Sequence, residues 1–314
     1  MSRMRRLSRR ETMIQGGRLL VGASLLTLFP ASRALAEGVV EVAYAGSMTS
    51  VMEGPIKEVL GRQLGIEMRG RAQGASGLAS LIASGTIRPD VFISITPSPM
   101  QVVLDAKKAE AALALARTEM VIAFSPTGRF APQFRQAQRG KGRQWWQILE
   151  DPEIRFGRTD PVTDPQGRNI IFVMELAARL YRRPDLVERV LGQTINPAQI
   201  FTESSVEARL QSSELDAASA YKIQPGPFQI PYLELPSKIN LREPVKDEGE
   251  EINVVLGGKL YYPEPLIYYA APLGDAQHPK QAAAFMKWIA GEQAQAIFRA
   301  QGYDPPGKAP GLHS

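Results

Sequence analysis

From residue 39 onward the chain alternates short apolar runs with helical stretches, and this alternation limits its architecture more than any other feature. Residues 39–45 read as a strand, 50–64 as a helix, 65–72 as a strand, 77–84 as a helix and 90–95 as a strand. Strands separated by about 10 to 15 helical residues build βαβ units and a parallel sheet. A second stretch opens with a strand at 120–124, carries helices over 169–181 and 205–211, and has strands near 154–157 and 217–221. A last apolar strand at 266–271 precedes a helix over 280–300, whose inward stripe would be Ala283, Phe285, Met286, Ile289, Ala290, Ala294, Ile297 and Phe298. The pattern predicts an α/β protein of two lobes with mainly parallel sheets. The chain would cross between them near 119–125 and again near 262–270, giving lobe 1 from 37–122 with 266–314 and lobe 2 from 123–265. With 314 residues there is chain enough for two cores. A cleft between such lobes is a preferred ligand site, and hinge closure is the motion it allows.

Composition removes much of the chemistry such a cleft might host. The chain has no cysteine and only two histidines, His278 and His313, which excludes disulfides, thiol nucleophiles, iron–sulfur clusters and Cys-type zinc sites. The motifs GxGxxG, Walker A and HExxH are absent, so no cofactor is expected. The formal charge of +5 is concentrated in residues 1–36, which hold seven of the 37 basic residues and one of the 32 acidic ones. Without them the balance is about −1, and a nucleic-acid partner is set aside. This segment runs from its arginines through the apolar stretch 19–29 to Ala34-Leu35-Ala36, the plan of a secretory signal. Arg9-Arg10 after Ser8 matches the twin-arginine variant. The apolar run falls well short of the ~20 residues that span a bilayer. Cleavage near Ala36 is therefore expected, with the mature protein in the periplasm. The acidic run Asp247-Glu248-Gly249-Glu250-Glu251 reads as a solvated loop.

In an open α/β sheet the strand exits face the crevice, so the residues that follow strands are the candidate ligand groups. Ala45-Gly46-Ser47 and Gly74-Ala75-Ser76-Gly77 each put a hydroxyl and free N–H groups at a helix start. Such a place suits an anion, and Ser47 and Ser76 are equally able to serve as helix caps. The loop from Gly157 to Arg168 carries two Asp-Pro pairs, Asp160-Pro161 and Asp164-Pro165, before a long helix. Farther on, Thr202-Glu203-Ser204-Ser205 opens a helix and Tyr221 closes a strand, its hydroxyl either reaching the cleft or packing in the core with a wet tip.

These segments, with Pro89–Ser94, Met120–Phe124 and Leu235-Pro236-Ser237-Lys238-Ile239-Asn240-Leu241, occur in one order over nearly the whole mature chain. Together they resemble the periplasmic molybdate/tungstate-binding proteins of ABC importers, in particular the tungstate-type branch with an octahedral oxyanion site. The resemblance implies a type II periplasmic binding protein, two lobes around a cleft, acting as a monomer and passing its ligand to a permease in the inner membrane. It further implies that Ser47 and Ser76 bind oxyanion oxygens from lobe 1, and that Asp164, the backbone N–H of Gln166, Glu203 and Tyr221 complete the site from lobe 2. Asp164 and Glu203 would coordinate the molybdenum or tungsten of the oxyanion itself, with no free metal cation.

Carboxylates beside a dianion repel it unless they bind its central atom or are protonated. Molybdenum and tungsten expand their coordination and sulfur does not, so the pair would disfavour sulfate. The chain departs from the family where Asp-Pro-Cys-Gly-Tyr becomes Asp164-Pro165-Gln166-Gly167-Arg168. It departs again where Pro-Lys-Glu-Thr/Val-Asp becomes Phe201-Thr202-Glu203-Ser204-Ser205, with Glu207 on the same helix as a substitute carboxylate. Arg158 and Arg168 are expected as exposed surface residues, or else as positive charge lent to the cleft. Other readings are a binding protein for sulfate, phosphate or a carboxylate, and an exported hydrolase using Asp160, Asp164 and Glu203 as acid–base groups. The hydrolase lacks a Gly-x-Ser-x-Gly elbow.

Overall fold

A computed structural model describes residues 38–245 and 251–314. The predicted leader with its cleavage point near Ala36, and all but the last residue of the acidic run at 247–251, lie outside the described residues. Strands β1 (Gly38–Ala45), β2 (Ile66–Gln73), β3 (Val91–Ile95) and β4 (Ala111–Arg117) come first, followed by β5 (Met120–Phe124), β6 (Phe156–Gly157), β7 (Ala217–Tyr221) and β8 (Tyr232–Glu234). A hairpin of β9 (Val254–Leu256) and β10 (Lys259–Tyr261) precedes β11 (Ile267–Pro272) and the short β12 (Leu312–His313). Six strands form one sheet in the order β12-β4-β11-β3-β1-β2, and four form a second in the order β6-β7-β5-β8.

The sheets are mixed rather than mainly parallel. Pairs β1–β2, β1–β3 and β6–β7 are parallel, whereas β11 is antiparallel to β3 and β4, and β5 is antiparallel to β7 and β8. The reason lies in the two crossings. β5 and β11 are the strands entered directly from the other lobe, so they start at the hinge and run away from it, against neighbours that end there. The hinge is tied by backbone bonds from Thr118 N to Leu266 O (3.1 Å), Leu266 N to Leu241 O (2.9 Å) and Met120 N to Asn240 O (2.8 Å). Beside it the buried Glu119 accepts from Lys222 Nζ and Asn240 Nδ2, each at 2.9 Å.

Both faces of the first sheet are covered, which explains why all five residues of β3 are buried. Ala43, Phe92 and Tyr269 pack on one face with Leu78, Ile82, Met100 and Leu104. Val42, Ile93 and Tyr268 pack on the other with Phe285 and Phe298. The expected helix over 50–64 is regular only over Lys57–Leu64, because Gly54 leaves helical geometry and Pro55 follows it. The expected helix over 280–300 is two helices, Pro279–Ile289 and Glu292–Ala300, divided at Gly291. The buried stripe of the first helix is Ala282, Phe285, Met286 and Ile289, spaced i, i+3, i+4 and i+7, which leaves Ala283 exposed beside it, and Ala290 is exposed at the C-cap. No helix among the described residues is long and apolar enough to cross a membrane.

Candidate functional site

A cleft of about 650 Å³ opens between the two sheets, lined from one side by Gly46, Ser47 and Gly74 and from the other by Thr159, Asp164, Glu203, Glu207 and Gln224. Ser47 sits in the single 3₁₀ turn Gly46–Met48 that follows β1. Its Oγ lies 3.0 Å from the hydroxyl of Tyr268, at the start of β11. Ser76 stands in the first turn of the helix Ala75–Ala83, whose N-cap is Gly74. Neither serine caps a helix with its side chain. Ser76 does not line the cleft; its Oγ accepts a 2.7 Å hydrogen bond from Arg168 Nη2.

Asp164 is the N-cap of the helix Pro165–Tyr181, which starts four residues earlier than the sequence pattern predicts. Its Oδ1 accepts from Gln166 N at 2.9 Å, so the N–H expected to serve an oxyanion already serves the cap. Glu203 is the first residue of the helix Glu203–Gln211, and its Oε1 accepts from Gln224 Nε2 at 3.1 Å. Gln224 is held in turn by Tyr221 N (2.7 Å) and Gln166 Nε2 (2.5 Å) at its own Oε1. Burial pushes the Glu203 carboxyl well above its ordinary range, with the charges of Asp164 and Glu207 adding to the shift. Burial likewise raises Asp164, opposed by the Gln166 N–H and the Arg168 charge, and it raises Glu207.

Glu203 and Glu207 both line the cleft, and it is Glu203 that reaches the opposite wall. A Cβ at Gly46 would collide with Glu203 Oε2, and one at Gly74 would stand 2.8 Å from Thr163 O. With the bond from Gly77 N to Thr163 O (3.3 Å), these contacts describe lobes closed upon each other.

Tyr221 is 1% exposed and lies behind the cleft wall, where its hydroxyl accepts from Asn169 Nδ2 at 3.0 Å. Burial raises its pKa, and the Asp164 charge adds to the shift, which puts the phenol close to the carboxylates. Both arginines expected at the surface are buried, Arg158 at 0% and Arg168 at 4% exposure. Arg158 faces away from the cleft, donating to Gln193 O at 2.9 Å and Gln199 Oε1 at 3.2 Å, and burial lowers it to about 10. Arg168 runs behind the Asp164 loop to Pro161 O (3.0 Å) and Ser76. Each side chain finds carbonyl or hydroxyl acceptors inside the fold, which replace part of the water a surface position would supply, and Arg158 Nη1 is left buried without a partner. Sequence patterns gave no role to Gln224, Tyr268, Asn169 or Thr159. Among the described residues no lysine or arginine lines the cleft, and no cluster of three acidic or histidine side chains is arranged to hold a free cation.

The chain matches the family of bacterial extracellular solute-binding proteins over residues 40–304. It is 29% identical over 206 residues to the molybdate/tungstate-binding protein WtpA of Pyrococcus abyssi, a match covering 59% of each chain. To the protein of the same name from Thermococcus kodakarensis it is 27% identical over 205 residues, 58% of this chain and 57% of that one. The chain thus spans less than two thirds of the length of these relatives. Among solved structures, the periplasmic molybdate-binding protein of Azotobacter vinelandii superposes with a TM-score of 0.61 at 17% identity, over 84% of this chain and 98% of its own. The sulfate-binding protein SubI of Mycobacterium tuberculosis H37Rv gives 0.57 at 9%, over 86% and 88%. These likenesses establish the type II periplasmic binding-protein fold.

Proposed function

Because the chain belongs to the bacterial extracellular solute-binding proteins, we propose that it captures molybdate or tungstate in the interlobe cleft and delivers it to an ABC permease. One observation carries the reading. Two carboxylates, the buried Asp164 and the half-buried Glu203, line the same cleft as the buried Ser47, and among the described residues no basic side chain lines it. A tetrahedral dianion would find only repulsion from that pair unless its central atom accepted them as ligands, which molybdenum and tungsten do and sulfur does not. Ser47 then supplies a hydroxyl donor from the cleft lining, Ser76 and Tyr221 supply theirs on turning into the cleft from the positions they hold beside Arg168 and Asn169, and the Gln166 N–H is freed for the oxyanion when Asp164 turns to the metal centre. The names of the relatives from Pyrococcus abyssi and Thermococcus kodakarensis support the choice of ligand.

The rest of the assignment belongs to the same proposal: lobe 1 as 37–122 with 266–314, lobe 2 as 123–265, twin-arginine export with cleavage near Ala36, and a monomer in the periplasm that performs no chemistry on its ligand. The test is isothermal titration of the protein with molybdate and tungstate, with sulfate as control, beside Asp164→Ala and Glu203→Ala. One-to-one binding of the metal oxyanions alone, weakened in both variants, is the expected result. Equal affinity for sulfate, or full affinity in both variants, overturns the carboxylate reading.

A further inference from the structure

We propose that Gln224, steered by the side chain of Gln166, is a positioning residue for the bound oxyanion: it holds one oxygen of Glu203 and leaves the other for the metal centre. This role rests on the oxyanion reading above and deepens it. Gln224 closes the turn that follows β7, where its N–H donates to Tyr221 O at 2.9 Å. Its side chain folds back on the same turn, and Oε1 accepts from Tyr221 N at 2.7 Å and from Gln166 Nε2 at 2.5 Å. A backbone N–H only donates, so the atom facing Tyr221 N is the oxygen, and the amide is fixed in one of its two orientations. Nε2 is thereby turned to Glu203, whose Oε1 accepts from it at 3.1 Å. Gln166 and Gln224 are both buried, which shields these bonds from water.

A glutamate side chain has several torsions to freeze, and ordering it on ligand arrival costs affinity. Both Glu203 and Gln224 line the cleft, so the anchor acts at the ligand's own wall. With Oε1 occupied, Glu203 has Oε2 left to give, and Oε2 is the atom that faces lobe 1, where a Cβ on Gly46 would collide with it. The carboxylate therefore enters a coordination sphere through one oxygen, in a direction set before the ligand binds. It is Glu203, not Glu207 of the same helix, that receives the Gln224 donor, and this assigns the coordinating role to Glu203. Gln166 stands where the family pattern has cysteine. The shorter cysteine side chain would end before Gln224, so the departure at 166 and the anchored amide at 224 form one device.

The experiment is a double-mutant cycle read by titration with molybdate and with tungstate: wild type, Gln224→Met, Glu203→Ala and the pair. X-ray absorption at the tungsten edge of the tungstate-saturated proteins accompanies it. A hydrogen bond to a charged carboxylate implies that Gln224→Met weakens binding about ten- to a hundredfold in the wild-type background. With Glu203→Ala already present, the same change costs less than about threefold, because the carboxylate it orients is gone. At the tungsten edge Gln224→Met has fewer oxygen neighbours than wild type, a count that a loss of stability alone would not move. Gln166→Met leaves Tyr221 N its acceptor and weakens binding about two- to tenfold. It also replaces Gln224→Met throughout if the latter fails to melt as a folded protein. Equal losses in both backgrounds mean that Gln224 acts without Glu203 and overturn the proposal, as does an unchanged affinity or an unchanged oxygen count in Gln224→Met. Where Glu203→Ala binds too weakly to titrate, the oxygen count of Gln224→Met against wild type decides. Each of these results leaves the oxyanion reading standing. A wild-type protein that binds neither oxyanion overturns both.

Discussion

Closure of the cleft can be tested at Gly74 without altering any charged or hydroxyl group. A Cβ there would stand 2.8 Å from Thr163 O and 3.4 Å from Asp164 Cα, on the opposite lobe. Its φ of −52° is open to any residue, so alanine strains nothing while the lobes are apart. The obstacle is backbone, held by the bond from Gly77 N to Thr163 O and by the turn in which Asp164 N donates to Asp160 O at 2.9 Å. It yields only if the lobes separate by some tenths of an ångström. Overpacking a fitted contact costs about 1–3 kcal/mol. The penalty falls on the closed state alone and so appears as lost affinity, about 5- to 150-fold at ~1.4 kcal/mol per factor of ten. The assay is titration of wild type and Gly74→Ala with molybdate, together with small-angle scattering at saturation and melting without ligand. The expected outcome is weakened binding, incomplete contraction and a ligand-free melting temperature unchanged or slightly raised. Unaltered affinity with full contraction would refute the reasoning, as would a ligand-free destabilisation as large as the affinity loss.

Two further outcomes follow from buried charge. Glu203 and Asp164 are raised above their ordinary values of 4.5 and 3.8, so the folded protein keeps protons that the unfolded chain has released. The ligand-free melting temperature should therefore fall as pH climbs from those ordinary values through the raised ones, and Glu203→Gln should flatten the fall; superimposable profiles would show that Glu203 is not buried beside Asp164. At the hinge, Glu119→Ala removes the acceptor of Lys222 Nζ and Asn240 Nδ2, and denaturant titration should register a loss of about 2–4 kcal/mol. A loss within the range of an ordinary surface substitution, about 0.5 kcal/mol, would mean that Glu119 does not tie the crossover.

Much of the fold was legible because burial on both faces of a sheet leaves an unbroken apolar run. The expected strand at 120–124 coincides with β5, that at 39–45 differs from β1 by one residue at its start, and that at 65–72 differs from β2 by one residue at each end. What was not legible has local causes. β4 is an alanine-rich run, Ala-Ala-Leu-Ala-Leu-Ala-Arg, whose composition favours helix and whose strand form comes from pairing with β11. The hairpin of β9 and β10 turns on Gly257-Gly258, with φ of 56° and 77°, and its three-residue strands are too short to show a period. The helix Pro165–Tyr181 starts early because Asp164 caps it and Pro165 takes its first position, a sequence that reads equally well as a turn.

The same topology explains which site residues a reading of strand exits finds. β7 runs toward the hinge, so its last residue, Tyr221, arrives behind the carboxylates and is found by looking after strands. β11 runs the other way, since the chain enters it from the hinge, and the residue it presents there is its second, Tyr268. Tyr268 reaches Ser47 at 3.0 Å from a strand start, where the strand-exit rule does not look. Any strand that follows a lobe crossing in this fold has its sense reversed in the same way. In a two-lobed chain of this kind the first residues after each crossing, here Met120–Val121 of β5 and Ile267–Tyr268 of β11, therefore stand at the cleft end together with the strand exits. Of those four side chains only Tyr268 carries a donor, which is why the lobe-1 serine has its hydroxyl held from behind by the returning strand.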